Sequence, residues 1–265
     1  MIFEKLVWRR DRMLLEGLVF RLQHFRSDDW ELGEECFVFY KDKKLIDQYA
    51  RLWNHGPPRP IGTMMELGIY DGGSAAFWFE CLRPEKLIAI DISPRGDSSY
   101  FRRYVASRGL EGRLKTHWRV DQSDRERLRS IVGAECPPPL DLVIDDASHI
   151  YGPTKASFEA LFPLLREGGL YIIEDWAWAH WQEFQGPDSI FANQTEPTKL
   201  LCELVEAVGT SEAMVASMTV MRGLVVIERG AESVEHPGAF VLDQCISRRR
   251  PSPGRLRRWV GTLVR

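Results

Sequence analysis

The sequence predicts an α/β protein built on a doubly wound, mostly parallel seven-stranded sheet with an antiparallel hairpin at one edge. Three observations predict it. From residue 62 onward, short β-rich apolar runs alternate with helical patterns, as they do where helices cover both faces of a parallel sheet. The last two runs, "MVASMTV" and "GLVVIERG", are separated by only "MR", a connection that allows antiparallel pairing alone. Two central runs, "DLVIDD" and "LYIIED", are apolar until they end in adjacent carboxylates, Asp145-Asp146 and Glu174-Asp175. Ligands of such sheets sit at the carboxyl ends of the strands, where strand order reverses.

Residues 2–24, "IFEKLVWRRDRMLLEGLVFRLQH", place Leu6, Leu14, Leu15, Leu18 and Leu22 at near-helical spacing, so an amphipathic helix is expected there. The segment "NHGPPRPIG" at 54–62 then breaks structure with three prolines and two glycines, which bounds an N-terminal helical extension, or lid, over 1–60. Within a main domain at 61–230, "TMMELG" reads as the first strand, followed by a helix from about Ser74. "KLIAID" precedes a helix from about Ser99, and "LKTHWRV" one from Asp124. "LDLVID" precedes a helix from Pro153, and "GLYIIED" one from about Pro197. Residues 231–265 form a tail whose end, "SRRRPSPGRLRRWVGTLVR", is basic and interrupted by proline.

At 265 residues and 44 % apolar content the chain can bury a sizeable core. A net charge of −3 gives no global reason to expect nucleic acid as partner. Cys36, Cys81, Cys136, Cys202 and Cys245 are scattered without CxxC spacing, and the chain starts without a leader-like pattern, so reduced thiols and a cytoplasmic enzyme are expected. No window approaches the roughly 18 apolar residues that span a bilayer.

"MELGIYDGGS" follows the first strand and opens a helix, with Gly68, Gly72 and Gly73 letting the backbone turn tightly beside Tyr70 and Ser74. It is not GxGxxG. Glu66 leads the loop and Asp71 lies inside it, and acids there disfavour a pyrophosphate and suit a cationic ammonium or sulfonium. Asp91 ends the second strand 23 residues after Gly68, where an acid accepts hydrogen bonds from ribose hydroxyls; alone, it is equally compatible with NAD. Asp121, Gln122 and Ser123 follow the third strand, where an adenine edge would lie. A helix cap is the plainer role for Asp121 or Ser123.

The series "MELGIYDGGS", "IAIDISP", "VDQSD", "DLVIDDASH" and "LFPLLREGGLYIIEDWAWAHW" resembles the class I S-adenosylmethionine-dependent methyltransferases. It is similar in particular to the metal-dependent sugar O-methyltransferases of antibiotic pathways, the macrocin and mycinamicin type, over roughly residues 45–230. The resemblance implies a Rossmann-like fold, S-adenosylmethionine and Mg²⁺ as cofactors, and a glycosylated small molecule as acceptor. Glu66, Gly68 and Ser74 match that family's first cofactor motif, Asp91 its ribose-binding acid, and Asp121, Gln122 and Ser123 its adenine-side segment. Asp145 matches the position facing the methionine end of the cofactor. Asp146, Glu174 and Asp175 match the carboxylates that hold Mg²⁺, and His149 matches the general base.

The chemistry of these residues agrees. A sugar hydroxyl is a poor nucleophile, so an enzyme must align it and take its proton. Hard carboxylate oxygens suit Mg²⁺, and a histidine three residues after Asp146 suits the proton. Trp176, Trp178 and Trp181 crowd the segment after the second acid pair, where they either pack the loop or wall an acceptor. The family usually carries smaller or more polar residues there. Two alternatives stay open: a noncatalytic accessory protein of the same fold, and an NAD-dependent dehydrogenase. Assembly into homo-oligomers is left open as well.

Overall fold

The computed structural model describes residues 2–23, 35–53, 60–136 and 139–248. Most of the proline-rich break and the tail beyond Arg248 lie outside them.

The N-terminal segment corrects the helix expected over 2–24. A 3-10 turn at Ile2–Lys5 leads into β1 (Val7–Trp8), β2 (Arg12–Leu15) and β3 (Leu18–Leu22). β4 (Phe37–Phe39) pairs parallel to β3 and completes a four-stranded sheet in the order β1-β2-β3-β4. The deciding feature is the pair Glu16-Gly17, with φ of 48° and 82°. Two residues at positive φ make the tight turn that joins antiparallel strands. Met13 and Leu15 on one strand then share a buried face with Leu18 and Phe20 on the next, a period-2 pattern that the turn disguises as helical spacing. The one helix among the described residues of this extension is α1 (Lys43–Leu52), capped by the Asp42 carboxylate, which accepts from Leu45 N at 2.7 Å.

The expected alternation is present in the main sheet. Its first half contains β5 (Thr63–Leu67), α2 (Gly73–Leu82), β6 (Lys86–Asp91), α3 (Ser99–Arg108) and β7 (Leu114–Trp118). The second half contains α4 (Arg125–Glu135), β8 (Leu140–Asp145), α5 (Tyr151–Leu161), β9 (Leu165–Glu174), α6 (Thr198–Thr210), β10 (Val215–Val220) and β11 (Leu224–Arg229). The order is β10-β11-β9-β8-β5-β6-β7, with β5 to β9 parallel and β11 antiparallel to both β9 and β10. Chain direction across the sheet reverses between β5 and β8, so a crevice opens at their carboxyl ends.

Each face of the sheet is covered by its own apolar cluster. On one, Phe20, Phe37 and Phe39 of the N-terminal sheet meet Phe77 of α2 and Tyr49 of α1. On the other, Ile131, Phe158, Phe162, Tyr171 and Leu204 lie beneath α4, α5 and α6. The N-terminal sheet is therefore a layer of the same body, and β4 lies against the glycine loop after β5. Val38 N donates to the Asp71 carboxylate at 3.0 Å.

Gly68 shows how tightly the crevice floor is built. Its φ is +85°, and a Cβ placed there would lie 2.2 Å from the Asp146 carbonyl oxygen. Gly68→Ala should cost at least about 2 kcal/mol, lowering Tm by roughly 4–8 °C. An unchanged melting curve would show that the two strand tips can part without penalty.

Candidate active site

Successive strand residues point to opposite sheet faces, which separates the two acids of the first pair. Asp145 turns to the α4–α5 side and Asp146 to the side of the N-terminal sheet. The Asp145 carboxylate is 2 % exposed and accepts from Ser157 Oγ at 2.6 Å, Tyr171 OH at 2.8 Å and Gln122 Nε2 at 3.1 Å. Burial raises its pKa, opposed by the Ser157 and Tyr171 hydrogen bonds. Gln122 Oε1 in turn accepts from Ser148 N at 2.7 Å, so Gln122 and Asp145 brace the turn that carries His149. The sequence reading that both pairs face one crevice is corrected for Asp145.

His149 and Asp175 leave their strands with φ of 55° and 49°, and Tyr70 of the glycine loop has 54°. Such conformations are unfavourable for side chains other than glycine, and they collect at functional sites. Three residues converge at the tips of β8 and β9. Asp146, His149 and Asp175 each bring a ligating atom within 4.8 Å of the others, and His149 Nε2 lies 3.7 Å from Asp146 Oδ1. Two hard carboxylate oxygens beside an imidazole are a donor set that fits a divalent cation. Burial raises the pKa of Asp146 and of Asp175, while the nearby Lys41 and His149 charges pull both down.

Glu174 lies apart from that trio. It is fully buried, and both its oxygens are engaged: Oε1 accepts from Tyr49 OH at 2.6 Å and Oε2 from Lys41 Nζ at 2.7 Å. The same ammonium reaches Asp146 Oδ2 at 2.6 Å. Lys41 is 3 % exposed; burial alone would lower its pKa, but the charges of Asp146, Glu174 and Glu66 outweigh burial and leave it raised. Removing one member of such a buried cluster strands the others, typically at about 3–5 kcal/mol. The sequence reading missed Lys41 and Tyr49. The available signal was "FVFYKD", an apolar run ending in a charge like the other strand tips, with a lysine in place of an acid.

On the cofactor side, Glu66 is fully buried, and neither carboxylate oxygen closes a hydrogen bond among the described residues. Burial pushes it up to about 8, against the pull of Lys41 and the nearby Ser74 hydroxyl. Asp71 is buried and braces the glycine loop. It accepts from Val38 N and from Gly73 N at 2.9 Å, and burial pushes it up to about 6. Asp91 Oδ2 accepts from Ile69 N and Tyr70 N at 2.9 and 2.8 Å, and Oδ1 from Ser93 N at 2.7 Å. A carboxylate has about four acceptor positions, so Asp91 shapes the glycine loop and keeps one position on Oδ1. Gly72, at φ +88°, is required by Phe101, whose ring would lie 2.4 Å from an added Cβ. Tyr70 carries the Arg95 guanidinium 4.0 Å from its ring centroid. Asp121 Oδ1 accepts from Ser123 N and Oγ at 2.8 and 2.7 Å, and Asp124 caps α4.

The tryptophans divide. Trp178 is 5 % exposed, stacks on Phe191 at 4.3 Å, and donates from Nε1 to the His149 carbonyl at 2.7 Å. It packs the loop and holds the strained His149 backbone. Trp176 donates to the Met221 carbonyl and, like Trp181, is half-buried.

Comparison with known proteins agrees with this geometry. Residues 65–176 match the family model described as a methyltransferase domain. The 8-demethyl-8-alpha-L-rhamnosyl tetracenomycin-C 2'-O-methyltransferase of Streptomyces olivaceus is 37 % identical over 196 residues, covering 69 % of this chain and 44 % of that protein. The mycinamicin VI 2''-O-methyltransferase of Micromonospora griseorubida is 32 % identical over 156 residues, covering 56 % of this chain and 36 % of that protein. The chain thus spans less than half the length of these two relatives. Among solved structures, the MycE methyltransferase of the mycinamycin biosynthetic pathway, in complex with Mg, SAH and mycinamycin VI, superposes with a TM-score of 0.52 at 29 % identity. That match covers 69 % of this chain and 49 % of MycE. These likenesses are to methyltransferases and favour that reading over the dehydrogenase alternative. Residues 65–176 are a methyltransferase domain, and the sheet that carries them has the class I methyltransferase fold.

Proposed function

We propose that the protein transfers a methyl group from S-adenosylmethionine to a hydroxyl of a sugar on a glycosylated natural product, with a divalent cation such as Mg²⁺ held by Asp146 and Asp175 beside His149. The observation that carries this reading is the convergence of Asp146, His149 and Asp175 beside the glycine loop at the reversal of strand order. The relatives named as sugar O-methyltransferases support the choice of acceptor.

S-adenosylmethionine supplies a methyl group already activated by the sulfonium charge. Glu66 is a fit for it, because an orphaned buried carboxyl at a strand tip gains most from a cationic group brought near it. Asp91, the Gly68–Ser74 loop and the Asp121–Ser123 turn bound the remainder of the cofactor side. Mg²⁺ would be held by Asp146 and Asp175, supplying a Lewis acid and a template for neighbouring hydroxyls. His149 takes the hydroxyl proton on its imidazole, and Asp146 Oδ1, 3.7 Å from Nε2, stabilises the imidazolium that forms. Trp178 and Gln122 hold His149 in place from opposite sides, so alignment is set before the acceptor arrives. Trp176 and Trp181 are the aromatic surfaces left to meet an acceptor. All five cysteines are free, and no helix of the described residues is long and apolar enough to cross a membrane.

S-adenosylhomocysteine at one hundred times its Kd should stabilise the protein by about 2.7 kcal/mol, raising Tm by roughly 5–10 °C. No shift at saturating ligand would remove the methyl donor from this reading. Transfer of labelled methyl to aglycones but not to their glycosides would remove the sugar.

A further inference from the structure

We propose that Lys41 withdraws Glu174 from the divalent-cation shell, leaving Asp146 and Asp175 as its carboxylate ligands, and that this lysine sets the charge and affinity of the site. The inference rests on the metal reading above and departs from the three-carboxylate set that the resemblance implies.

The first ground is occupancy. Glu174 is fully buried and has given both oxygens to donors, Tyr49 OH at 2.6 Å and Lys41 Nζ at 2.7 Å. Each oxygen keeps a second acceptor position by count, but an ion on Oε2 would lie against the ammonium that this oxygen holds at 2.7 Å, like charge against like, in a site where that ammonium is 3 % exposed. Asp146 divides its oxygens instead, Oδ2 to Lys41 at 2.6 Å and Oδ1 toward His149 and the trio. The trio whose ligating atoms approach within 4.8 Å accordingly contains Asp146 and Asp175 but not Glu174.

Charge is the second ground. Asp146, Glu174 and Asp175 carry three negative charges when ionised, and Lys41 returns one positive charge. The remainder matches one divalent ion. A full match matters in a crevice of low dielectric, where uncompensated charge is costly. Mg²⁺ commonly makes do with one or two carboxylates and retains several waters.

Placement is the third. Lys41 and Tyr49 lie on one short unit, the end of β4 and the helix α1. Asp42 caps that helix, and Val38 is anchored to Asp71 of the glycine loop. The ammonium is thus fixed by backbone anchors on both sides rather than carried on a free arm.

Mn²⁺ binding to the full-length chain, read by loss of the free-ion paramagnetic resonance signal, tests this without turnover. Glu174→Gln, which can still accept from Tyr49 but removes one negative charge, should weaken Mn²⁺ by no more than the factor by which Lys41→Met tightens it, whereas Asp175→Asn, which also removes a ligand, should weaken it by at least about tenfold more than Glu174→Gln does. Lys41→Met should tighten Mn²⁺ by at least about tenfold, because a like charge beside the ion is removed. Should Lys41→Met fail to fold, the comparison of Glu174→Gln with Asp175→Asn decides alone. If Glu174→Gln loses Mn²⁺ as fully as Asp175→Asn, Glu174 is a ligand and the proposal is overturned while the metal reading stands. If the wild type binds no Mn²⁺ yet S-adenosylhomocysteine still raises Tm, the metal reading falls and takes the proposal with it.

Discussion

With divalent ions stripped by a chelator, methyl transfer should fall to background, and added Mg²⁺ should restore it. The expectation follows from Asp146 and Asp175, two half-buried carboxylates whose pKa values burial has raised. Lys41 answers part of the negative charge of the acid cluster, and a divalent ion would answer the rest. Asp175→Ala in excess Mg²⁺ should reproduce the chelated state. Affinity for S-adenosylhomocysteine should be unchanged in both, because Glu66 and Asp91 belong to other strand tips. Full turnover in chelator would eliminate the metal role, and a parallel loss of cofactor affinity would mean that the acids support the fold instead.

The second large effect is expected at His149. Its φ of 55° makes alanine an ambiguous replacement, since backbone strain would be mixed with lost chemistry. Asparagine tolerates that conformation and cannot accept a proton near neutrality, so His149→Asn isolates the base. Its kcat should fall ~10²–10⁴-fold, with Tm and Mn²⁺ affinity retained. A kcat within a few-fold of wild type would dismiss His149 as base. Intact chemistry combined with lost Mn²⁺ would instead make the imidazole a ligand.

What was legible in the sequence is what depends on short-range pattern. Apolar runs such as "LIAID" and "LVID" have few ways to be buried, and their acidic ends mark the crevice by themselves. The N-terminal sheet was illegible because leucines spaced for a helix also fit a hairpin once Glu16-Gly17 makes its turn, and pairing of β3 with β4 is parallel and distant. The partners of Asp145 and Asp71 are not legible, because sequence shows that an acid is present but not which face it takes. Tyr171 and Ser157 claim the first, and Val38 N and Gly73 N the second. Lys41 was hidden by distance, since it stands 105 residues from Asp146 and 133 from Glu174.

That distance bears on where the working unit begins. The methyltransferase-domain match starts at residue 65, and the seven-stranded sheet at Thr63. A chain trimmed to start there would retain every strand of the sheet and every acid. It would lack both groups that serve Glu174 and the layer that covers them, leaving that carboxylate without its counter-ion on a bared apolar face. By strand count the piece would be whole; by electroneutrality it would not. The smallest fragment able to balance its own interior charges has to begin upstream of Lys41, inside the stretch that a domain boundary drawn at residue 60 would discard.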